Sequence, residues 1–327
     1  MNILILCARR AQNSTSIKKL KAAAIERGHT VEICDPTDFY LEVSNKSGHD
    51  KIYRKGQRVF ANSIDAVIPR IGKGLTYGAS VVRHLTENLK IYSTSTADGL
   101  LNASDKWKTT QMLSKSRVLT PLSTYVHKPE DPSFLIDLVG GLPCVAKIQR
   151  GSQGQGVFIL ETELAASTTL QSFSAINVNI ILQQFIETAK EDEKKSDIRA
   201  YVVGDKVSAA YKRFSLDSDF RSNYTISKAG EKVDLTEDEE YMAVAAAKSL
   251  QLDVAGVDLA RNVNDDRTYC IEVNGNGSLN GISKVTGHDV AGDIIKHVES
   301  KVDKGEPSLT RSLSNFLNDL LTLENID

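Results

Sequence analysis

Asp258, Glu272 and Asn274 are residues that could hold a divalent cation together. They lie in two short runs, VAGVDLAR (254–261) and TYCIEVNGNG (268–277), each alternating as a strand does. The polar stretch NVNDDR between them predicts the loop of an antiparallel hairpin. Alternation puts Glu272 and Asn274 on one face and directs Ile271 and Val273 to the core. With Asp258 opposite them, two carboxylates and an amide oxygen converge. Hard oxygen donors suit Mg²⁺, which is usually bound through a few protein ligands plus substrate phosphates. A wet sheet face is the alternative, but two acids and an asparagine inside apolar strands favour the cation.

Other residues could handle phosphate. GSQGQG (151–156) is a glycine-rich loop between two predicted strands, where backbone N–H groups can approach phosphate oxygens. It is not a P-loop, because the terminal Lys-Ser/Thr is missing and no helix follows. Nor does its spacing match the dinucleotide fingerprint. Lys147 precedes it inside the apolar run CVAKI, where a lysine is rarely buried unless paired, and a phosphate is one suitable partner. LQQFIE (182–187) reads as a strand that turns polar, so its exit could offer backbone groups to an adenine edge; an ordinary core strand fits the local pattern as well. Asp197 and Arg199 open the next strand, with Arg213, Arg221 and Asn223 beyond its hairpin. Guanidinium forks match carboxylate and phosphate geometry.

The elements that must position these groups follow from periodicity. Strand signals at 2–7, 30–34, 65–72 and 90–93 alternate with helical ones at 16–28 and 81–89, which predicts a small parallel α/β domain. A Ser cap and Gly28 bound the first helix. The polar stretch from Ser44 to Arg58 predicts a flexible loop. A second unit starts near Ser95, with a helix at 104–116 capped by Ser104 and strands at 143–148, 157–160 and 182–185. DIRAYVVGDKVSAAYKRF (197–214) predicts a hairpin turning at Gly204-Asp205. Thr236 and Glu239 form a capping box on a helix over 236–252, and a further helix covers 289–302. The boundaries expected are 1–95, 96–186 and 187–304, with an amphipathic tail helix over 305–327.

With 327 residues and 41% hydrophobic content, the chain can bury a large core in more than one lobe. A net charge of −2 argues against a protein that coats nucleic acid. No run of about 18 apolar residues is present, so no membrane span is expected. Cys7, Cys34, Cys144 and Cys270 are scattered without Cys-x-x-Cys spacing and read as buried thiols of a reducing cytoplasm. The six histidines show no triad context.

The order Lys, glycine-rich hairpin, hinge-like strand, arginine pair, then Asp…Glu-x-Asn is that of ATP-grasp ligases. From Met1 to about Val302 the chain resembles the RimK-type glutamate ligases. The resemblance runs through AVIPRIG (66–72), LIDLVGGLPCVAKI (135–148), GSQGQGV (151–157), DIRAYVVGD (197–205), DFRSN (219–223), DVAGVDLAR (253–261) and IEVNGNGSLNGISKVTGHDVAG (271–292). It implies an N-terminal parallel α/β domain followed by a two-lobed ATP-grasp fold, α+β in its lobes. It also implies that Lys106 and Lys147 hold the nucleotide phosphates under a lid of Gly151, Ser152, Gln153, Gly154 and Gly156. Gln184 and Phe185 would form the adenine hinge, Asp197 would bind ribose, and Arg221, Ser222 and Asn223 would line the nucleotide and acyl-phosphate region. Asp258, Glu272 and Asn274 would bind two Mg²⁺ (or Mn²⁺) ions, Arg213 and Arg221 would act in catalysis, and Arg70 and Lys284 would face the substrate. Two departures stand out: Gln184 replaces the usual Glu, and Gly275-Asn276-Gly277-Ser278 replaces a small residue, Ser and Pro-Gly. TAKEDEKKS (188–196) reads as a charged insertion.

The implied chemistry activates a carboxylate with ATP as an acyl phosphate, which an amine then converts to an amide. The resemblance points to L-glutamate as the amine donor and a protein or peptide C-terminus, of a ribosomal protein or oligoglutamate, as acceptor. A small-molecule or side-chain carboxylate is the competing acceptor, and a silent ATP-binding module the competing class. A cytoplasmic homo-oligomer, dimer or tetramer, without nucleic-acid or membrane partners, completes the expectation.

Overall fold

In the computed structural model, which describes residues 1–45, 50–149, 156–188, 195–215 and 230–303, the chain opens with alternating strands and helices. β1 (Asn2–Leu6), α1 (Thr15–Glu26) and β2 (Thr30–Cys34) are followed by β3 (Phe39–Glu42), β4 (Lys51–Arg54) and β5 (Gln57–Arg58). Then come β6 (Ala66–Pro69), α2 (Leu75–Arg83), β7 (Tyr92–Ser93) and α3 (Ala97–Ala103). The parallel sheet has the order β2-β1-β6-β7. β1 is an unbroken apolar run because both of its faces are covered. Ile3 and Ile5 pack on one side with Ile17 and Leu20, and Leu4 and Leu6 on the other with Val81 and Leu85. The stretch expected to be a flexible loop instead contributes β4 and β5 to a three-stranded antiparallel sheet with β3, with Ile52 fully buried. One apolar side chain in four suffices for a strand whose other face stays wet.

Helix starts differ from expectation by a residue or two. Ser14 caps α1 by accepting from the Ile17 N–H, which frees Ser16 for a contact described below. Asp105, rather than Ser104, caps α4 (Lys106–Lys115) by accepting from Lys108 N–H at 3.1 Å.

The middle lobe contains β8 (Ser123–Val126), α5 (Pro132–Leu138), β9 (Cys144–Ile148), β10 (Val157–Leu160), α6 (Glu163–Ala175) and β11 (Ile180–Gln184). Its antiparallel sheet has the order β10-β9-β11-β8. Cys144, Ala146, Ile180 and Leu182 pack with Ile136, Ala166 and Leu170 of the two helices. The opposite face carries Lys147, Gln183 and Ser123.

The last lobe is built on β12 (Ser196–Val203), β13 (Lys206–Phe214), β14 (Gly230–Lys232), β15 (Val254–Arg261) and β16 (Thr268–Asn274). These strands form one antiparallel sheet in the order β14-β13-β12-β15-β16, and the turn of its first hairpin falls at Gly204-Asp205 as expected. Helix α7 (Glu237–Ser249), started by the Thr236/Glu239 capping box, covers one face over Ala200, Val202, Ala255 and Val257. Helices α8 (Leu279–Thr286) and α9 (Val290–Val302) pack into the core that holds Ile3, Ile5 and α1. That core also takes Tyr201, Val203 and Val254, so the first and last lobes share one apolar interior.

Candidate active site

The second face of the large sheet is where the candidate residues meet. On β12 the residues Asp197, Arg199 and Tyr201 share a side, and each has neighbours on the flanking strands. One row across the sheet reads Tyr211, Arg199, Asp258, Glu272; the next reads Ala209, Tyr201, Gly256, Asn274. Asp258 and Glu272 are therefore direct cross-strand partners, with Asn274 beside them. A bulge between Asp258 and Leu259 makes Leu259 face Cys270 and leaves Ile271 as the extra residue. The expectation that Ile271 points into the core is corrected accordingly: Cys270 and Val273 fill the core, and Ile271 joins a smaller cluster with Leu119, Ile186, Ala260 and Tyr269.

Asp258 is enclosed and paired twice. Arg199 grips it with Nε on Oδ1 and Nη2 on Oδ2, the latter at 2.8 Å. Arg213 Nη2 lies 3.0 Å from Oδ2 of the same carboxylate. Arg213 also forks onto Asp197, with Nε on Oδ1 at 2.6 Å and Nη2 on Oδ2. Burial alone would raise the Asp258 carboxyl; the two guanidinium groups outweigh it and hold it below the usual carboxylate range. Gly256 makes room for this network: a Cβ there would stand 3.1 Å from Arg199 Cδ and Nη1. Arg199, marked by its period-2 spacing from Asp197 as a candidate fork, has a carboxylate, Asp258, as its partner.

Lys147 faces this network from the middle lobe. Its Nζ donates to Gln183 Oε1 at 2.5 Å, and Gln183 in turn donates to Ser123 Oγ at 2.9 Å. Burial pushes the Lys147 ammonium down to about 8 from 10.5; Glu272 and Asp258 pull it up, and Lys106 pushes it down. Lys106, Asp258 and Glu272 thus all lie near enough to act on Lys147. Lys106 is the first residue of α4, tied to β9 where its N–H donates to Gln149 O. Gln149 also donates to Asp105 Oδ2 at 2.7 Å. Gly156, the last glycine of the lid motif, has φ +73°, and a Cβ there would stand 2.4 Å from the Ile148 side chain, so glycine suits that turn. Gly151, Ser152, Gln153, Gly154, Arg221, Ser222 and Asn223 lie outside the described residues, as do the tail and most of the 188–196 insertion.

The adenine-hinge candidates sit where β11 ends. Gln184 donates its backbone N–H to Leu122 O at 2.8 Å, and its side chain accepts from Leu122 N–H. Phe185 follows the last ladder residue, with Lys195 Nζ 4.3 Å from its ring centre. Asp197, expected at the ribose, accepts from Arg213 at both oxygens. Arg70 is buried and bound to Tyr201 and Gly277, so its guanidinium does not stand open to a ligand. Lys284 is exposed on α8.

The donor set fits a hard divalent cation. Asp258, Glu272 and Asn274 adjoin on one sheet face; both Asp258 oxygens are engaged by Arg199 and Arg213, so a cation would draw first on Glu272 and the Asn274 side-chain oxygen and reach Asp258 by displacing a guanidinium contact. Among the described residues no group of three or more His, Cys, Asp or Glu side chains could hold a metal alone. Mg²⁺ commonly takes a few protein ligands and shares its shell with phosphate oxygens. The cysteines stay apart from this chemistry: all four are free and buried, and burial pushes Cys7, Cys34 and Cys144 up to about 11 and Cys270 higher still.

Two lobes that close a cleft between a lysine-bearing sheet and an Asp/Glu/Asn hairpin, behind a parallel α/β domain, define an ATP-grasp protein. The solved ATP-grasp ligase PsnB, bound to its minimal precursor, Mg and ADP, superposes with a TM-score of 0.70 at 16% identity, covering 92% of this chain and 98% of that one. A RimK-domain ATP-grasp protein from Sphaerobacter thermophilus gives 0.63 at 17%, covering 91% and 99%. Residues 1–100 match the RimK PreATP-grasp domain and 103–298 the RimK-like ATP-grasp domain, and the chain belongs to the RimK family. The ribosomal protein bS6–L-glutamate ligase of Shigella boydii is 39% identical over 285 residues, 87% of this chain and 91% of that protein. A probable alpha-L-glutamate ligase 2 of Shewanella denitrificans is 39% identical over 303 residues, 92% and 96%.

Proposed function

We propose that this ATP-dependent ligase joins the amine of L-glutamate to the C-terminal carboxylate of a protein or peptide, a ribosomal protein tail or oligoglutamate being the acceptor. The observation that carries the chemistry is the shared face of Asp258, Glu272 and Asn274, with Arg199 and Arg213 beside it and Lys147 opposite. The choice of glutamate and of a protein acceptor follows the relatives' names.

An acceptor carboxylate oxygen attacks the γ-phosphorus of ATP, the bond to the bridging oxygen breaks, and ADP leaves. The amine nitrogen then attacks the acyl carbon, phosphate departs, and the nitrogen loses a proton as the amide forms. Little covalent work falls to the protein, so charge and position dominate. Lys106 and Lys147 would neutralise the phosphates, and Gln183 fixes the direction of the Lys147 ammonium. Arg213, held at its base by Asp197, would swing toward the transferring phosphoryl group, while Arg199 keeps Asp258 ionised and oriented. Gln184 and Phe185 would receive the adenine with backbone groups, under a lid built from 151–156. Arg221, Ser222 and Asn223 would complete the nucleotide and acyl-phosphate lining. Asp258, Glu272 and Asn274 would hold Mg²⁺ or Mn²⁺, two ions per site, which when bound offsets charge on the phosphate oxygens.

Incubation with Mg-ATP, glutamate and peptides ending in a free carboxylate should release ADP and phosphate and add glutamate-sized mass increments. No ADP release with any amino-acid donor would refute the reading. The loop Gly275-Asn276-Gly277-Ser278 supports a second acceptor class, a side-chain or small-molecule carboxylate, because it departs from the family where the acceptor would lie. Mass spectrometry of the products separates the two. We also propose a homo-oligomer, to be checked by light scattering, working in the cytoplasm. Among the described residues no helix is long and apolar enough to cross a membrane.

A further inference from the structure

The loop after Asn274 carries little side chain, yet three separate elements hold it. The Gly277 carbonyl accepts from Arg70 Nη2 and from the Tyr201 hydroxyl, the latter at 3.0 Å. Arg70 Nη1 also donates to that hydroxyl at 3.3 Å. Arg70 is 6% exposed and Tyr201 is fully enclosed. A Cβ on Gly277 would lie 3.3 Å from the Tyr201 ring and 3.4 Å from the Gly256 backbone, so the loop sits directly on the sheet. Two residues on, Leu279 N–H donates to Ser16 Oγ of α1 at 3.0 Å. A Cβ on Gly72 would approach the Asn276 amide at 3.8 Å.

The place of this clamp in the fold gives it meaning. Arg70 directly follows β6, and its own N–H donates to Leu6 O at the end of β1. β2 lies beyond β1 and β7 beyond β6, so the ends of β1 and β6 form the topological switch point of the parallel sheet. Ligands of open α/β sheets bind in that crevice. Here the loop Gly275-Asn276-Gly277-Ser278 closes it on the side of the metal candidates. Arg70 Nε is buried with no partner among the described residues, so the side chain is held in place against a desolvation penalty.

Building on the ligase function proposed above, we infer that Arg70 and Tyr201 are positioning residues that shape this loop as one wall of the acceptor carboxylate subsite. The N-terminal domain, through Arg70, then sets which acceptor fits, while the nucleotide side is untouched. Tyr201→Phe deletes one donor and keeps the ring; Arg70→Lys keeps the charge and loses the fork. With tetraglutamate as acceptor, each variant is expected to raise the acceptor KM about fivefold, the equivalent of one hydrogen bond, with the KM for ATP within twofold of the parent. Hydrogen–deuterium exchange of amides 275–279 should quicken in both variants, with exchange in β12 and β15 unchanged. Equal rises in the two KM values, or unaltered exchange at 275–279, overturn the inference. If the parent enzyme forms no amide, the proposed function falls by itself, and the exchange measurement still decides whether Arg70 and Tyr201 pin the loop.

Discussion

Lys147 offers the sharpest test of the phosphate side. Its ammonium is buried against Gln183 and pushed down to about 8, mainly by desolvation, with Lys106 adding to the effect and Glu272 and Asp258 opposing it. Holding the charge on Lys147 therefore costs about 3 kcal/mol relative to water. Between pH 8 and the ordinary lysine value the unfolded chain binds a proton that the folded chain lacks, so this group makes stability rise with pH there. Nucleotide binding reverses the balance, because a phosphate beside Nζ stabilises the ammonium. About one-tenth of the chains hold Lys147 neutral at pH 7, about half at pH 8 and about nine-tenths at pH 9. ATP binding should accordingly take up those fractions of a proton, and its affinity should weaken about tenfold from pH 7 to 9. Calorimetric titration at pH 8.5 in two buffers of different ionisation enthalpy reads the uptake directly. Lys147→Arg, charged throughout this range, supplies the control and should bind with a flat pH profile. Buffer-independent heats in the parent, or the same slope in Lys147→Arg, would refute the placement of phosphate at Nζ.

Glu272→Ala should abolish ADP release while leaving the thermal midpoint within a few degrees, since the side chain is only half-buried; unchanged turnover would remove it from the cation site. Arg261→Ala takes the fork at 2.7 and 2.8 Å from the buried Glu239 and should cost about 1–2 kcal/mol in urea unfolding, less than a fully enclosed pair because Arg261 is partly exposed. Burial would raise Glu239, but Arg261, Thr236 and Thr268 hold it below 4.5, so its contribution is present above that pH and is lost as pH falls through the lowered value; the Arg261→Ala defect should shrink with it. Gly204→Ala forces a β-carbon to 2.5 Å from the His297 ring at φ +64° and should destabilise by about 1–3 kcal/mol, read as a shifted denaturant midpoint at constant slope.

Much of this was legible because alternation is local. Thr236 and Glu239 announce their helix, Gly204-Asp205 its hairpin, and the apolar run of β1 its doubly covered sheet. The same period places Glu272 and Asn274 together, and the hairpin loop at 262–267 brings Asp258 across from them. What escaped depends on departures from the period or on distant partners. The bulge at Asp258/Leu259 changes the side on which Ile271 lies, and a one-residue slip leaves no mark in composition. β4 and β5 were hidden because they are short, wet on one face and anchored mainly by Ile52.

The charge network shows why single residues could not be assigned their full roles in advance. Asp197, Arg199, Arg213 and Asp258 come from three strands, and each is meaningful only through the next. A lone buried carboxylate at Asp258 would protonate; two guanidinium groups keep it ionised and so keep it competent to meet a cation. Arg213 in turn is divided between two acids, so any polyanion entering the cleft competes with Asp197 and Asp258 for it. The arrangement holds the charges of a nucleotide site near balance before the nucleotide arrives. Its parts are therefore expected to fail together: removing Asp197 should loosen Arg213, and with it the grip on Asp258 two strands away. An unperturbed Asp258 in Asp197→Asn, read from its carboxyl carbon resonance, would mean that Arg199 alone sustains it.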